Sequence, residues 1–361
     1  MSGLYIAISA ILVGFLLPAE SRIAVDDLKH QIASRVAAHA DDEDLARRLG
    51  GIELSERLTT QSLDEILANP SLGPKTKQAI ELLFDSSAFL NPPSSELPRK
   101  PRPNAAEQQE MLSSAANFVS ITLRHLPDFL AMRVTKSFDN SAMFVTPVGP
   151  AKTEFQYAGT FYQQITYRNG EEVKTEPSVT DSEAEEEQNG TVPGLASKGE
   201  FGPVLAMILG DSSMGSVSWS HWEQTPNGLA GVFNYEVPES ASHFAVNFCC
   251  VVRRNYPSEA YHGTPAYRGS LSIDPATGTI LRLTADARLK AHAPITRSAM
   301  SVSYGPIYLN GERYICPVRG VTLSLENTGH YTILRINQVR FTDYRRFAST
   351  HRIMPIYPQP Q

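Results

Sequence analysis

Asn104-Ala-Ala-Glu-Gln-Gln-Glu-Met-Leu-Ser-Ser-Ala-Ala-Asn-Phe-Val-Ser-Ile-Thr-Leu-Arg-His-Leu-Pro-Asp128 is where the character of the chain changes. Asn104 and Glu107 stand in capping-box relation, the Asn side chain taking an orphan amide while Glu107 reaches back. Met111, Ala115, Phe118, Thr122 and Leu126 then step along one face, with Leu112, Val119 and Leu123 beside them, the repeat of a helix with one apolar side. Pro127 ends it. Beyond Asp128 the apolar period falls from about 3.6 to about 2 and does not return, so one helix followed by strands is predicted.

Downstream, hairpin chemistry recurs. Asn169-Gly170 sits at the centre of Phe161-to-Thr175, and Asn310-Gly311 at the centre of Ile307-to-Val318; both supply the residues a type I′ turn requires. Asn227-Gly228 separates Trp219-Ser-His-Trp222 from Gly231-to-Val237. Leu271-Ser-Ile-Asp-Pro-Ala-Thr-Gly-Thr-Ile-Leu281 reads as strand, turn and strand. Strands do not alternate with 10–15-residue helices, which argues against a parallel α/β sheet. Within this region the acidic stretch 171–199 is poor in apolar residues and is expected to be a solvated, disordered insertion.

Upstream, residues 22–90 are helical in pattern. Leu28, Ile32 and Val36 repeat after Asp26-Asp27; Asp41-Asp42 opens a helix that Gly50-Gly51 closes. Ser62-Leu-Asp-Glu65 reads as a capping box, and Gly73-Pro74 begins a fourth helix. Residues 91–103 hold five prolines and read as a semi-rigid linker. The predicted fold class is therefore α+β: a small N-terminal helical domain, then a helix and a curved antiparallel sheet over 104–350, with a tail at 351–361.

Of the 361 residues 42% are hydrophobic and 19% charged, which excludes wholesale disorder, collagen and a multi-span membrane protein. The net charge of −6 is unevenly laid out: residues 246–361 carry 14 basic against 6 acidic side chains, and 93–245 carry 10 against 19. The arginines of the last third are spread along strands rather than bunched, which argues against a nucleic-acid partner. An internal match between acidic middle and basic end is the economical reading. The run Leu4–Leu17 is uncharged and mostly apolar; as a helix it covers about 21 Å, short of the roughly 30 Å of a bilayer core. With small residues at Ala19 and Ser21, residues 1–21 read as a signal peptide, which predicts a periplasmic or secreted protein.

No catalytic, metal or cofactor constellation emerges. Gly210-Asp211-Ser212 resembles the nucleophile block of SGNH-type lipases and esterases, but no Asp-x-x-His follows to supply its base, so a hydrolase is rejected. Nine histidines form no metal-binding motif, and no glycine-rich phosphate loop follows a strand. Trp219, His221 and Trp222 are candidates for lining a ligand groove, strand alternation placing Trp219 with His221 and Trp222 opposite. Cys249, Cys250 and Cys316 are disulfide candidates, and at most one of the vicinal pair can conveniently meet Cys316.

Leu45-Ala46, Leu54-Ser-Glu-Arg-Leu58, Phe84-Asp-Ser-Ser-Ala-Phe-Leu90, Leu126-Pro-Asp-Phe129, Ser218-Trp-Ser-His-Trp-Glu223 and Val232-Phe-Asn-Tyr-Glu-Val-Pro238 resemble an uncharacterised family of exported bacterial proteins. Ser242-His-Phe, Ile273-Asp-Pro-Ala-Thr-Gly278, Val302-Ser-Tyr-Gly-Pro306 and Tyr314-Ile-Cys-Pro-Val318 extend the resemblance. A more distant similarity, in the order helix, meander, strand–Asp-Pro-turn–strand over Tyr267-to-Leu283, is to periplasmic lipoprotein carriers. It implies a half barrel whose concave face holds an acyl chain. Two functions follow as expectations: a carrier of lipid or another hydrophobic ligand, or a non-catalytic envelope interaction or scaffold protein with a filled β core. Large aromatics at alternate positions, Phe155, Tyr157 and Phe161 or Tyr304 and Tyr308, would favour filling.

Overall fold

The computed structural model describes residues 22–140, 155–173, 192–226, 228–251, 259–327 and 332–346. The predicted signal peptide 1–21 and tail 351–361 lie outside them.

Four helices come first: α1 (Val25–Ala37), α2 (Asp42–Gly50), α3 (Thr60–Leu67) and α4 (Pro74–Ser86). Each is too short to persist alone, and they share a core of Val25, Leu28, Leu45, Leu49, Leu58 and Ile80 with their neighbours. Asp41 caps α2 through the amides of Glu43 and Asp44, as its position in the sequence predicts. At α3 the cap is Thr59, whose hydroxyl accepts from Ser62 N; Ser62 is buried and gives its own hydroxyl proton to Glu96 at 2.5 Å. The helix therefore begins three residues before the expected capping box.

α5 (Ala105–His125) carries the predicted cap, with Asn104 N donating to Glu107 at 2.7 Å and Glu107 N to the Asn104 side chain at 3.0 Å. Its buried side is Met111, Ala115 and Val119. After it the chain builds β1 (Phe129–Asp139), β2 (Gln156–Arg168), β3 (Glu171–Val173), β4 (Ser216–Thr225), β5 (Gly228–Val237), β6 (Val246–Val251), β7 (Glu259–Gly263), β8 (Tyr267–Ile273), β9 (Ile280–Arg288), β10 (Ile295–Leu309), β11 (Glu312–Asn327) and β12 (Thr332–Arg346). Ten of them form one curved antiparallel sheet in the order β3-β2-β1-β12-β11-β10-β9-β8-β5-β4, and β6 with β7 makes a separate ribbon. Asn169-Gly170 and Asn310-Gly311 all have positive φ, the type I′ turn the sequence foretells. The fold is α+β.

One helix was not foreseen. α6 (Pro203–Ser213) interrupts the strands and contains the Gly-Asp-Ser block. Val204, Leu205 and Ile208 are buried while Ala206, Met207 and Leu209 are apolar as well, so the segment lacks the polar face that makes helical periodicity visible. Where it is described, the acidic stretch 171–199 also departs from the expected disorder. Glu171–Val173 pairs with β2, and Leu195 is buried with its carbonyl accepting from Thr322 and Asn337; the rest of the predicted disorder, 174–191, falls outside the described residues.

The sheet is covered on both faces. α5 and α6 pack on one, against Phe233, Tyr235, Leu271, Leu283, Val302 and Tyr304. On the other lies the helical domain, whose Leu82 and Ala88 meet Phe138, Val321 and Ile336. The proline-rich stretch between them does not stand free: Trp222 Nε1 donates to the Pro101 carbonyl at 2.8 Å and Lys100 lies 4.0 Å over the Trp222 ring. Two glycines set close approaches for α5. Gly231 has Trp219 and Met111 where a Cβ would point, and Gly278, at φ +71°, has the Ser114 backbone within 2.5 Å of that position.

Candidate functional site

The seam between the helical domain and the sheet gathers most of the buried charge that has no counterpart in its own layer. Arg57, in the loop before α3, hangs its amide on the Asn91 carbonyl at 2.7 Å. It sends its guanidinium to the sheet, where Nη2 stands 2.6 Å from Glu223 Oε1 as an ion pair, though without the angle of a hydrogen bond. From α4, the buried Asp85 accepts from Arg319 of β11 at 2.6 Å and from Gln338 of β12 at 2.5 Å. Arg282 of β9 donates to the Ala88 carbonyl. Thus four sheet residues reach out to three consecutive parts of the helical domain.

The electrostatics follow the crowding. Burial works against the Glu223 carboxylate, but the His221 side chain and the Arg57 and Arg282 charges outweigh it and hold its pKa down to about 2. Burial raises Asp85, with Arg319 and Gln338 pulling the other way. For Arg282, burial and the like charge of Arg57 exceed the help from Glu223 and bring it down to about 9. Burial disfavours the charged form of a guanidinium, and a second guanidinium beside it does so further.

This seam is where the Trp219–Glu223 segment does its work, in an arrangement strand alternation does not predict. The pairing of β4 with β5 slips between Trp219 and His221, a bulge that adds one residue and reverses the alternation beyond it. Trp219 and Trp222 therefore meet on the same side, ring centroids 4.8 Å apart and 68° inclined, with Trp219 edge-on to Phe233 at 5.3 Å. His221 points instead with Glu223 to the helical domain, its Nε2 3.7 Å from Glu223 Oε2. The expected pairing of Trp219 with His221 on one face is thus corrected. Trp222 lies in the core with Trp219 packed against it, and His221 stands beside the Arg57–Glu223 ion pair.

Of the aromatics expected to decide the state of the concave face, Tyr304 is buried in it, its hydroxyl on the Glu200 carbonyl at 3.0 Å, whereas two others are not. Tyr157 is 56% exposed and Tyr308 67%. Filling comes from Phe129, Tyr167, Phe233, Tyr235 and Tyr267, all buried, with Tyr235 hydroxyl on the Thr284 carbonyl at 2.6 Å. Two larger hollows lie elsewhere. A groove of about 350 Å³ opens between the helical domain and the β1–β2 end of the sheet, lined by Leu49, Ile52, Leu82, Phe155, Tyr157 and Leu334 among others. A second, about 480 Å³, flanks α6 beside Met207, Met214 and His243.

Asp211 stands at the second hollow. Its buried carboxylate accepts from His243 N at 2.8 Å and from Tyr267 hydroxyl at 2.9 Å, and lies 2.6 Å from His243 Nδ1. Ser212 bonds back to the Leu209 carbonyl at 3.1 Å, so the Gly-Asp-Ser block fastens the turn after β5 to α6 and builds no Ser–His relay. The partner of Asp211 is a histidine 32 residues on, which no local spacing reveals. Cys316 is a free buried thiol, pushed up to about 12 by burial, and so joins neither of the vicinal cysteines. Cys249 is disulfide-bonded; the Cys250 side chain lies outside the described residues. Among the described residues no three His, Cys, Asp or Glu side chains cluster as metal ligands, and no helix is long and apolar enough to cross a membrane.

No family model matches the chain, no curated protein matches it, and no solved structure matches it.

Proposed function

We propose that this is an exported, non-catalytic interaction or scaffold protein of the cell envelope, built on a filled β core. The observation that carries the reading is the packing of Phe233, Tyr235 and Tyr267 with α5 and α6, beside a second cluster of Phe129, Tyr167 and Phe201. These side chains occupy the volume in which a half-barrel carrier would hold an acyl chain. The sheet's other face is taken up by the helical domain. Export rests on the apolar run Leu4–Leu17 and the small residues at Ala19 and Ser21.

The test is native mass spectrometry of the protein taken gently from its own envelope fraction, with lipid extraction alongside. A clean mass starting near Arg22 is the expected result. Excess mass resolving into acyl-bearing molecules would overturn the scaffold reading in favour of a carrier. For that second reading one observation speaks, the groove of about 350 Å³ at Leu49 and Leu82, its wall part apolar and part charged, a volume within the range of small-ligand sites. Leu82→Trp would then remove the excess mass, whereas a scaffold gives the same clean spectrum with and without it.

A further inference from the structure

Three arginines close on one cavity of about 70 Å³ in the seam: Arg57, Arg282 and Arg319, with Ser301, Ser303, Thr59 and Thr60 also in its wall. The sheet presents them in a row. Ser303 of β10 is the register partner of Arg319 on β11 and of Arg282 on β9, so a hydroxyl sits between two arginines on the strands that flank it, each about 5 Å from it across the register. Arg57 faces this row from the helical domain, and α3 begins at Thr60 with Thr59 as its cap, bringing the amide end of a helix to the same wall.

The charges do not close. Asp85 and Glu223 also line the cavity, but Asp85 is held by Arg319 and Gln338 and Glu223 by Arg57. That leaves Arg282 with a backbone carbonyl and, among the described residues, no carboxylate in ion-pair range. Arg57, only 7% exposed, has an Nη2 without a hydrogen bond. A buried donor whose ion pair leaves its hydrogen bond unmade, and a guanidinium without a carboxylate beside it, are both stabilised by a further acceptor. Planar guanidinium forks are matched best by the oxygens of a carboxylate or phosphate, and two carboxylates are already spent here. A compact oxyanion with several acceptors fits both the size and the donor set.

We propose that this cavity binds a single phosphate group, whose oxygens accept from Arg57 and Arg282 with Ser303 between them and Arg319 at its edge. Bound there, the phosphate bridges the helical domain and the sheet and clamps one to the other. The group has two sources, free phosphate or the phosphomonoester end of a larger molecule such as a lipid.

Isothermal titration of the full chain in phosphate-free buffer tests this with two probes, inorganic phosphate and short-chain dihexanoyl phosphatidic acid. One phosphate per chain is expected to bind, and Arg282→Gln is expected to weaken it at least tenfold. Because that substitution removes the unbalanced charge, its unfolding midpoint without phosphate should equal or exceed that of the parent, so lost binding is not lost folding. Ser303→Ala, a smaller change, should weaken binding several-fold. Arg297→Gln, on the same sheet but paired with Asp286 at 3.2 Å, should leave it unchanged. Tighter binding of the phosphatidic acid by tenfold or more assigns the site to a headgroup, and equal or weaker binding to free phosphate. Absence of binding by both probes, or equal affinity in the parent and Arg282→Gln, overturns the proposal. The inference does not depend on the scaffold reading, which stands or falls on bound acyl mass.

Discussion

Glu223 concentrates the logic of the seam in one side chain. Its folded pKa of about 2 lies below the usual glutamate value near 4.3. A carboxyl whose pKa is depressed on folding contributes stability above its unfolded value and loses it as pH falls toward the folded one. Protein stability should therefore decline from about pH 5 down to about pH 2, with Glu223 responsible for up to about 3 kcal/mol of the fall. Urea titrations of the parent and Glu223→Gln across that range would show it: the variant starts lower, by roughly 3–5 kcal/mol at pH 7 because Arg57 loses its counter-charge, and its slope below pH 5 is shallower. An unchanged slope would remove Glu223 from this role. The residue was legible only as part of a distinctive pentapeptide; that its partner is Arg57 depends on a contact across 166 positions of chain.

At the scale of elements, α5 shows how far local chemistry reaches. Asn104 and Glu107 form the cap their spacing announces, and Met111, Ala115 and Val119 are the buried side. What the periodicity does not contain is the surface it packs on, where Gly278 and Gly231 let the β8–β9 turn and β5 come close. Asn104→Ala should cost about 1 kcal/mol, the usual worth of a cap. Gly278→Ala should cost more, about 2 kcal/mol, since it combines a left-handed backbone with a clash against Ser114. Thermal unfolding of the two single variants ranks them, and equal shifts would mean that the turn yields without resistance. α6 and the β4 bulge are the elements that escaped. The helix is apolar on nearly all sides, and the bulge inverts a face through one extra residue that carries no sequence signal of its own.

For the molecule as a whole, the seam makes two domains one unit. Asp85, 2% exposed, is bound by Arg319 and Gln338 from two strands, and Arg282 and Arg57 add links beside it. The arginine-rich last third thus answers acids from the rest of the chain: Arg335 meets Asp139 at 2.7 Å and Arg288 meets Glu236 at 3.0 Å, together with Arg319 on Asp85. Calorimetry of the parent should give one cooperative transition. Asp85→Ala strips Arg319 of its buried partner, a loss of roughly 3–5 kcal/mol, and should split the trace into a helical-domain transition and a later sheet transition. A single transition shifted down as a whole would show that apolar contact at Leu82 and Ala88 suffices for coupling.

By itself the sequence determined the helices α1 to α5 with the caps of α2 and α5, the type I′ hairpins and the α+β class, because each depends on interactions within a few residues. Caps, turn glycines and apolar period all act locally and leave their mark in order along the chain. Only the tertiary structure decided which sheet face was filled and by which aromatics. It also decided that the proline-rich stretch is pinned, that Asp211 belongs to His243, and that three arginines share a cavity. Those outcomes rest on side chains tens to hundreds of positions apart, whose meeting is set by strand order and register, and burial gives them their charge state only once they have met.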